Sequence, residues 1–278
     1  MKLIRDCAEL EKLTGILRKE ARYGNFVMNR ERIVSNIERG TLYLEEEGEN
    51  LYILEEEAAF FRLFYFLKDL SEPVRLMPDK TMVVEFPYRE NYTERDRRQT
   101  DFLLKSGFEL ARQSSMMELR SSDVCKISCP KIDGLRIGNG IRKEADEYEE
   151  MLESSFNPLF AFLPGRKEIN AIIEEKRLFV AYRDSIPAAI MNIELERNVV
   201  WTNHIVVRKA YRGLGIGRAI HQYVHELYAD RCGFFRCWVD IHNTPSVKMH
   251  ERAGYRISSR KADEYIHSID GSDINTEK

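Results

Sequence analysis

The chain has 278 residues, of which 43% are hydrophobic and 32% charged, with a formal net charge of −3. That is enough for two domains of ordinary globular composition. Lys and Arg number 21 against 24 Asp and Glu before Lys131, and 22 against 22 from there on, so neither half carries the basic footprint of a nucleic-acid binder. The longest apolar run, 58–67, contains Arg62 and is too short to span a bilayer, and the first residues show no secretory pattern. Cys7, Cys125, Cys129, Cys232 and Cys237 are odd in number and form no Cys-x-x-Cys pair, which reads as reduced thiols. The expectation is a soluble, cytoplasmic protein with no membrane or nucleic-acid partner.

In chain order, Thr41–Leu44, Leu51–Leu54, Ala59–Phe66 and Met82–Phe86 alternate or run apolar and are expected as four strands. The triplets Glu45–Glu47 and Glu55–Glu57 flank the turn at Gly48-Glu49-Asn50 and read as a solvated strand end, with a surface that receives a cationic substrate as the alternative. After a break near Cys129-Pro130-Lys131, Leu135–Ile137 opens a second set with a short strand. Helices follow at 145–156 and 167–175, the second set off by Pro164-Gly165. Strands at 176–183, 188–196 and 199–207 form an antiparallel meander. Next come a glycine-rich loop, a helix over Arg218–Ala229, a strand over Phe234–His242, a helix within Asn243–Ala253, and a closing pair at 255–259 and 263–267. The helix at 218–229 carries His221 and His225 four residues apart. That spacing suits a metal, but no third ligand stands out, so packing or surface histidines are expected and no metal site.

The loop carries the most chemistry. Arg212-Gly213-Leu214-Gly215-Ile216-Gly217 joins a strand end to a helix start, where free backbone N–H groups and the helix dipole favour an anion. The glycines are spaced two and two, which is not the dinucleotide fingerprint, and no Gly-Lys-Ser/Thr follows, so it is not a P-loop. The pattern Arg212-x-x-Gly215-x-Gly217 resembles the acetyl-CoA pyrophosphate loop of the GNAT superfamily of N-acyltransferases. A second block agrees with it: a strand, then Asn243, Ser246, Met249, Glu251, Arg252, Gly254 and Tyr255 on the family's pattern. The resemblance covers roughly residues 134–268.

It implies an α+β fold and acetyl-CoA as co-substrate. The strands around the loop would splay, with backbone at Ile205, Val206 and Val207 pairing with the pantetheine arm. Amides of Arg212, Gly213, Leu214, Gly215, Ile216 and Gly217 would hold the diphosphate, with Asn243 and Ser246 on the other side. An N–H near Val206 would polarise the thioester carbonyl. Many relatives place a Tyr, as acid for the departing thiolate, at the position of His250; an imidazolium suits that task, and a packing role stands beside it. The carboxylate base of some relatives falls at Trp238, so Asp240 and His204 are the candidates, in direct contact with the amine or through an ordered water chain. No Cys lies in either motif, which speaks for direct transfer in a ternary complex.

Residues 1–130 repeat the end of the second half, Leu104-Lys-Ser-Gly107-Phe108-Glu-Leu110 paralleling Glu251-Arg-Ala-Gly254-Tyr255-Arg-Ile257. Between Leu67 and Thr81, where a loop and long helix belong, stand thirteen residues without glycine and with Pro73 and Pro78. The expectation is two tandem GNAT-like domains, 1–130 degenerate and 131–278 acetyl-CoA-binding, each a mixed, mostly antiparallel sheet flanked by helices. The function expected is N-acetylation of a primary amine in a small molecule or peptide, by a monomer or homodimer. A non-catalytic acyl-CoA sensor is the alternative, and transfer from aminoacyl-tRNA is disfavoured by the lack of a basic groove.

Overall fold

The computed structural model describes residues 1–28, 30–76, 78–126 and 132–269. The expected break at Cys129-Pro130-Lys131 lies outside them. By contact the chain forms two units, one of residues 1–113 with the strand from Arg260 on, the other of residues 114–259. Each unit therefore includes a strand from the other side of the boundary expected at 129–131.

In the first unit the order is β1 (Lys2–Leu3), α1 (Cys7–Glu20), β2 (Tyr23–Gly24), α2 (Arg30–Arg39), β3 (Leu42–Glu47), β4 (Asn50–Glu56), β5 (Phe60–Leu67), β6 (Thr81–Arg89), α3 (Glu94–Lys105) and β7 (Glu109–Arg120). Strands pair in the order β1, β3, β4, β5, β6, with β2 on the far part of β5 and the C-terminal residues 260–267 on β6. All are antiparallel except β5 with β6. β4 and β5 are buried on both faces, so they read as apolar runs instead of alternating. α1 and α2 cover Leu42, Ile53, Phe64 and Phe66 on one face, while Phe102 and Leu103 of α3 cover Tyr52, Leu54, Tyr65 and Phe86 on the other. A capping box, Thr93 with Asp96, starts α3. Gly107, at φ +80°, ends it.

The second unit runs β8 (Leu135–Asn139), α4 (Ala145–Glu153), α5 (Arg166–Glu174), β9 (Leu178–Arg183), β10 (Ile186–Glu196), β11 (Val199–Val207), α6 (Ile216–Tyr228), β12 (Phe234–Asp240), α7 (Thr244–Arg252) and β13 (Arg256–His267). Its sheet order is β8, β9, β10, β11, β12 and residues 114–120 of β7, parallel only between β11 and β12. α4 and α5 bury Tyr148, Met151, Ile169 and Ile173 against Val180, Ile190 and Val206. α6 lies on the opposite face, burying Ile216, Ile220 and Val224 against Ala181, Met191, Val200 and Phe235. Burying each Ile, Val, Met or Phe side chain among these stabilises the fold by about 1.5–3 kcal/mol.

Two expectations are corrected. The closing pair at 255–259 and 263–267 is one unbroken strand, β13, because Ser258-Ser259-Arg260-Lys261-Ala262 holds no Gly or Pro to turn the chain. Glu55 is not on a solvated strand end. It is fully buried, accepting from Arg32 Nε at 2.8 Å and Asn36 Nδ2 at 2.6 Å, since α2 packs over that end of β4. No described helix is long and apolar enough to cross a membrane.

Candidate active site

The site of the second unit starts from a mismatch of strands. β11 pairs with β12 only from Val199–Phe234 to Thr202–Cys237. At the same level its register with β10 shifts by one, with Asn192 opposite His204 but Ile193 opposite Thr202, leaving Asn203 as the extra residue. Beyond that bulge β11 keeps β10 and has lost β12. Arg208 N–H bonds Ala188 C=O at 2.9 Å, and the alternation of an antiparallel ladder then turns the N–H and C=O of Val206 to β10 and those of Ile205 and Val207 to the open side. Ile205 and the N–H of Val207 are the groups left to pair with an extended amide-bearing ligand, the Val207 carbonyl already accepting from Arg212. The amide of Val206, expected to do so, is used by β10.

The glycine-rich loop follows at the end of that edge. Arg212 Nε donates to Val207 C=O at 3.0 Å, tying loop to strand. Gly213 and Gly215 sit at φ +79° and +81°, left-handed values that L side chains rarely adopt, and Gly215 is the N-cap of α6. The first bond of α6 runs from Ala219 N–H to Gly215 C=O, and among the described residues the amides of Gly213 to Gly217 have no partner. Five free amides at a helix start fit a diphosphate. Gly217 has a different task. A Cβ there would lie 2.4 Å from Met249 Sδ and 3.3 Å from Val207 Cγ2, so this glycine lets α6 approach α7 and β11. Leu214 is exposed and Ile216 buried beneath the loop.

Asn243 caps α7, its Oδ1 accepting from Ser246 N–H at 3.1 Å. The Asn-x-x-Ser spacing is thus also a helix start, with Asn243 exposed and Ser246 half-buried. Asp240 stands at the end of β12, its Oδ1 accepting from His242 N–H at 2.8 Å. Strand alternation puts it on the face of Trp238, which is exposed, away from the face of Cys237 and Val239, which α6 covers.

His250 faces the other way. It is 2% exposed and packs against His221 and Tyr255, with ring centroids 4.9 and 5.5 Å away. His225 completes the group, 3.0 Å from the Tyr255 hydroxyl. Nδ1 of His250 donates to Ser246 C=O at 2.9 Å, and Nε2 is sealed without a partner. Burial lowers its pKa, so the ring is neutral and its one proton is committed to a carbonyl. The imidazolium that an acid role requires is not what this packing favours. Among the described residues no group is arranged to hold a metal.

His204 lies on the α4–α5 face of β11, edge-on to Phe156 at 5.0 Å, with Nδ1 3.1 Å from Asn192 Oδ1. Burial alone lowers its pKa, to about 4. Asn192 and Phe156 went unnoticed in the sequence. Asn192 does carry a signal, as the one polar residue in the buried run 187–193.

The first unit shows the same strand geometry with a different filling. β5 and β6 pair in parallel only from Phe60–Thr81 to Arg62–Val83. Along the rest of β5, β2 pairs at Tyr23–Leu67 and Gly24–Phe66. Asn25, 3% exposed, donates from Nδ2 to Leu63 C=O at 3.2 Å and Glu85 C=O at 3.1 Å and accepts Tyr65 N–H at 2.7 Å. The groups that stay open on β11 are satisfied here from within the chain.

Residues 143–255 match the Acetyltransferase (GNAT) family, and this segment of the chain is a GNAT domain. The whole chain is similar to a tandem GNAT protein from the clavulanic acid biosynthesis pathway, at 12% identity and a TM-score of 0.64, over 98% of this chain and 99% of that one. It is similar to a GCN5-related N-acetyltransferase from Sphaerobacter thermophilus at 12% identity and 0.58, covering 87% and 86%. A GNAT-family acetyltransferase from Colwellia psychrerythraea matches at 10% and 0.58, covering 96% and 99%. At these identities the likeness shows the fold, that of a tandem GNAT protein. None of the curated proteins matches the sequence.

Proposed function

We propose that the protein transfers an acetyl group from acetyl-CoA to a primary amine of a small molecule or peptide, directly and within a ternary complex. The observation that carries this is the open edge at Ile205 and Val207 running into five unpartnered amides at Gly213–Gly217, all inside the GNAT domain. In this reading Ile205 and Val207 pair with the pantetheine arm, and the loop amides and Arg212 face the diphosphate. A backbone N–H on the same open edge polarises the thioester carbonyl. His204 or Asp240 accepts the amine proton, and His250 serves packing, so the departing thiolate is protonated from solvent. Bound acetyl-CoA supplies the activated acyl group.

One site per chain is part of the proposal, because β2 and Asn25 occupy the corresponding edge of the first unit, whose segment 68–80 shows no helix among its described residues. That unit is read as the degenerate copy. Cys7, Cys232 and Cys237 are free thiols, which suits a reducing, cytoplasmic setting. The test is calorimetry with acetyl-CoA followed by CoA-release assays over a panel of primary amines. One molecule bound per chain and amine-dependent CoA release are expected. Tight binding with only slow hydrolysis for every amine would replace the enzyme with an acyl-CoA sensor.

A further inference from the structure

His204 and Asn192 face each other across the β10–β11 ladder at the last pair before the register shift, with His204 next to Ile205 of the open edge. Both are buried at strand positions whose neighbours on the same face, Ile190 and Val206, belong to the apolar core. A buried amide and imidazole are costly there unless they satisfy each other, and their 3.1 Å contact does so. Oδ1 of an amide only accepts, so Nδ1 of His204 carries the proton and Nε2 holds the lone pair. Unlike the nitrogens of His221 and Nε2 of His250, Nε2 of His204 is not among the sealed, unpartnered atoms.

We propose that Asn192 is a positioning residue that holds His204 in the Nδ1–H tautomer, so that Nε2 accepts the proton of the attacking amine. This rests on the acyl-transfer reading above and narrows its base from two candidates to His204. In the step, the amine nitrogen bonds to the acyl carbon, the carbon–sulfur bond breaks, the thiolate leaves with the bonding pair, and the proton released from nitrogen goes to Nε2. The surroundings keep the ring neutral. Glu194 of β10 is engaged by Asn203 Nδ2 at 3.4 Å, and Glu147 of α4 is paired with Arg208 at 2.6 Å. From the segment after α4 the apolar ring of Phe156 packs against the imidazole, and no charge contributes to its shift. A neutral lone pair is then present throughout the neutral pH range.

The test uses the full chain and two variants close in volume to Asn192, Asn192→Leu and Asn192→Asp. Nitrogen NMR of labelled protein reports the tautomer without any turnover. The wild type should show Nδ1–H, and Asn192→Leu a mixture of the two tautomers. In Asn192→Asp a carboxylate beside Nδ1–H should raise the His204 pKa by about a unit or more. The acid limb of kcat/KM for the amine should rise with it, a shift that loss of a merely structural contact would not cause. Asn192→Leu should lower kcat about tenfold, with KM for acetyl-CoA unchanged. An Nε2–H tautomer in the wild type, or an unmoved acid limb in Asn192→Asp, overturns the inference. Failure to acetylate any amine overturns the enzyme reading instead, and the NMR result then reports whether Asn192 holds the ring at all.

Discussion

Gly217 and Met249 meet so closely that a Cβ on the glycine would lie 2.4 Å from the methionine sulfur. Helix propensity favours Ala over Gly by up to about 1 kcal/mol, but here Met249 must move to admit the methyl group. Gly217→Ala is expected to lose about 1 kcal/mol net, and Met249→Ala to recover most of it in the double variant. A double-mutant cycle by urea unfolding checks this, and purely additive effects would show that the contact does not limit the packing of α6 on α7.

Gly215, unlike Gly217, has room. The nearest atom to a Cβ there is Ile132 Cδ1 at 3.6 Å, and the obstacles are its φ of +81° and the anion expected beside it. Gly215→Asp should weaken acetyl-CoA binding more than tenfold, or about 1.4 kcal/mol, with a smaller change in melting temperature. Calorimetry finding the wild-type affinity would remove the loop from the diphosphate site.

Four buried histidines make stability depend on pH. His204, His221, His225 and His250 all have lowered pKa values, chiefly through burial, to about 4 for His204 and about 3 for His225. In the unfolded chain they titrate near 6.5, so below that pH unfolding takes up protons that the folded state refuses. Their stabilisation is fully present above about pH 6.5 and is lost as pH falls towards the folded values, by up to about 1.4 kcal/mol per unit for each histidine. Urea midpoints at pH 7.5 and 5.5 test this; equal midpoints would mean that the cluster opens to solvent before the chain unfolds.

Within that cluster His221 and His250 should respond oppositely. Both ring nitrogens of His221 are buried without a partner, so His221→Leu removes an unsatisfied group and is expected to raise the melting temperature by a few degrees. His250→Ala breaks the bond to Ser246 C=O and leaves a cavity, costing about 2–4 kcal/mol, with kcat per folded molecule nearly unchanged. A roughly hundredfold fall in kcat in a well-folded His250→Ala protein would restore the acid role to this residue.

Asn25 satisfies, with one side chain, backbone groups whose counterparts on β11 stay open. Asn25→Ala leaves Tyr65 N–H and the carbonyls of Leu63 and Glu85 without their buried partner, at a cost of about 2–4 kcal/mol. Acetyl-CoA should still bind once per chain with its original affinity. A second bound molecule in this variant would show that the first unit keeps a usable cleft.

Local rules sufficed for much of this molecule. The glycine loop, the strand before it and the helix after it are adjacent in sequence, so spacing alone placed Arg212 to Gly217 at a helix start. The parallel between Gly107 and Gly254 held for the same reason, because both end a helix in the left-handed conformation, at φ +80° and +94°. Residues 68–80 hold two prolines and no glycine, and the described ones among them form no helix, as that composition suggests. What required the tertiary structure was any partnership between distant segments. His250 follows a family spacing, yet its direction is set by how α7 packs on α6, and that packing buries it beside His221. The link between Asn192 and His204 exists through the register of two strands and a one-residue bulge, neither of which a periodicity encodes. Asn25 sits 38 residues from Leu63 and 60 from Glu85, and only the divergence of β5 from β6 opens the gap that its carboxamide fills. Backbone conformation is decided within a few residues, whereas burial, and with it the protonation state of each histidine, is decided by whatever the fold brings from elsewhere.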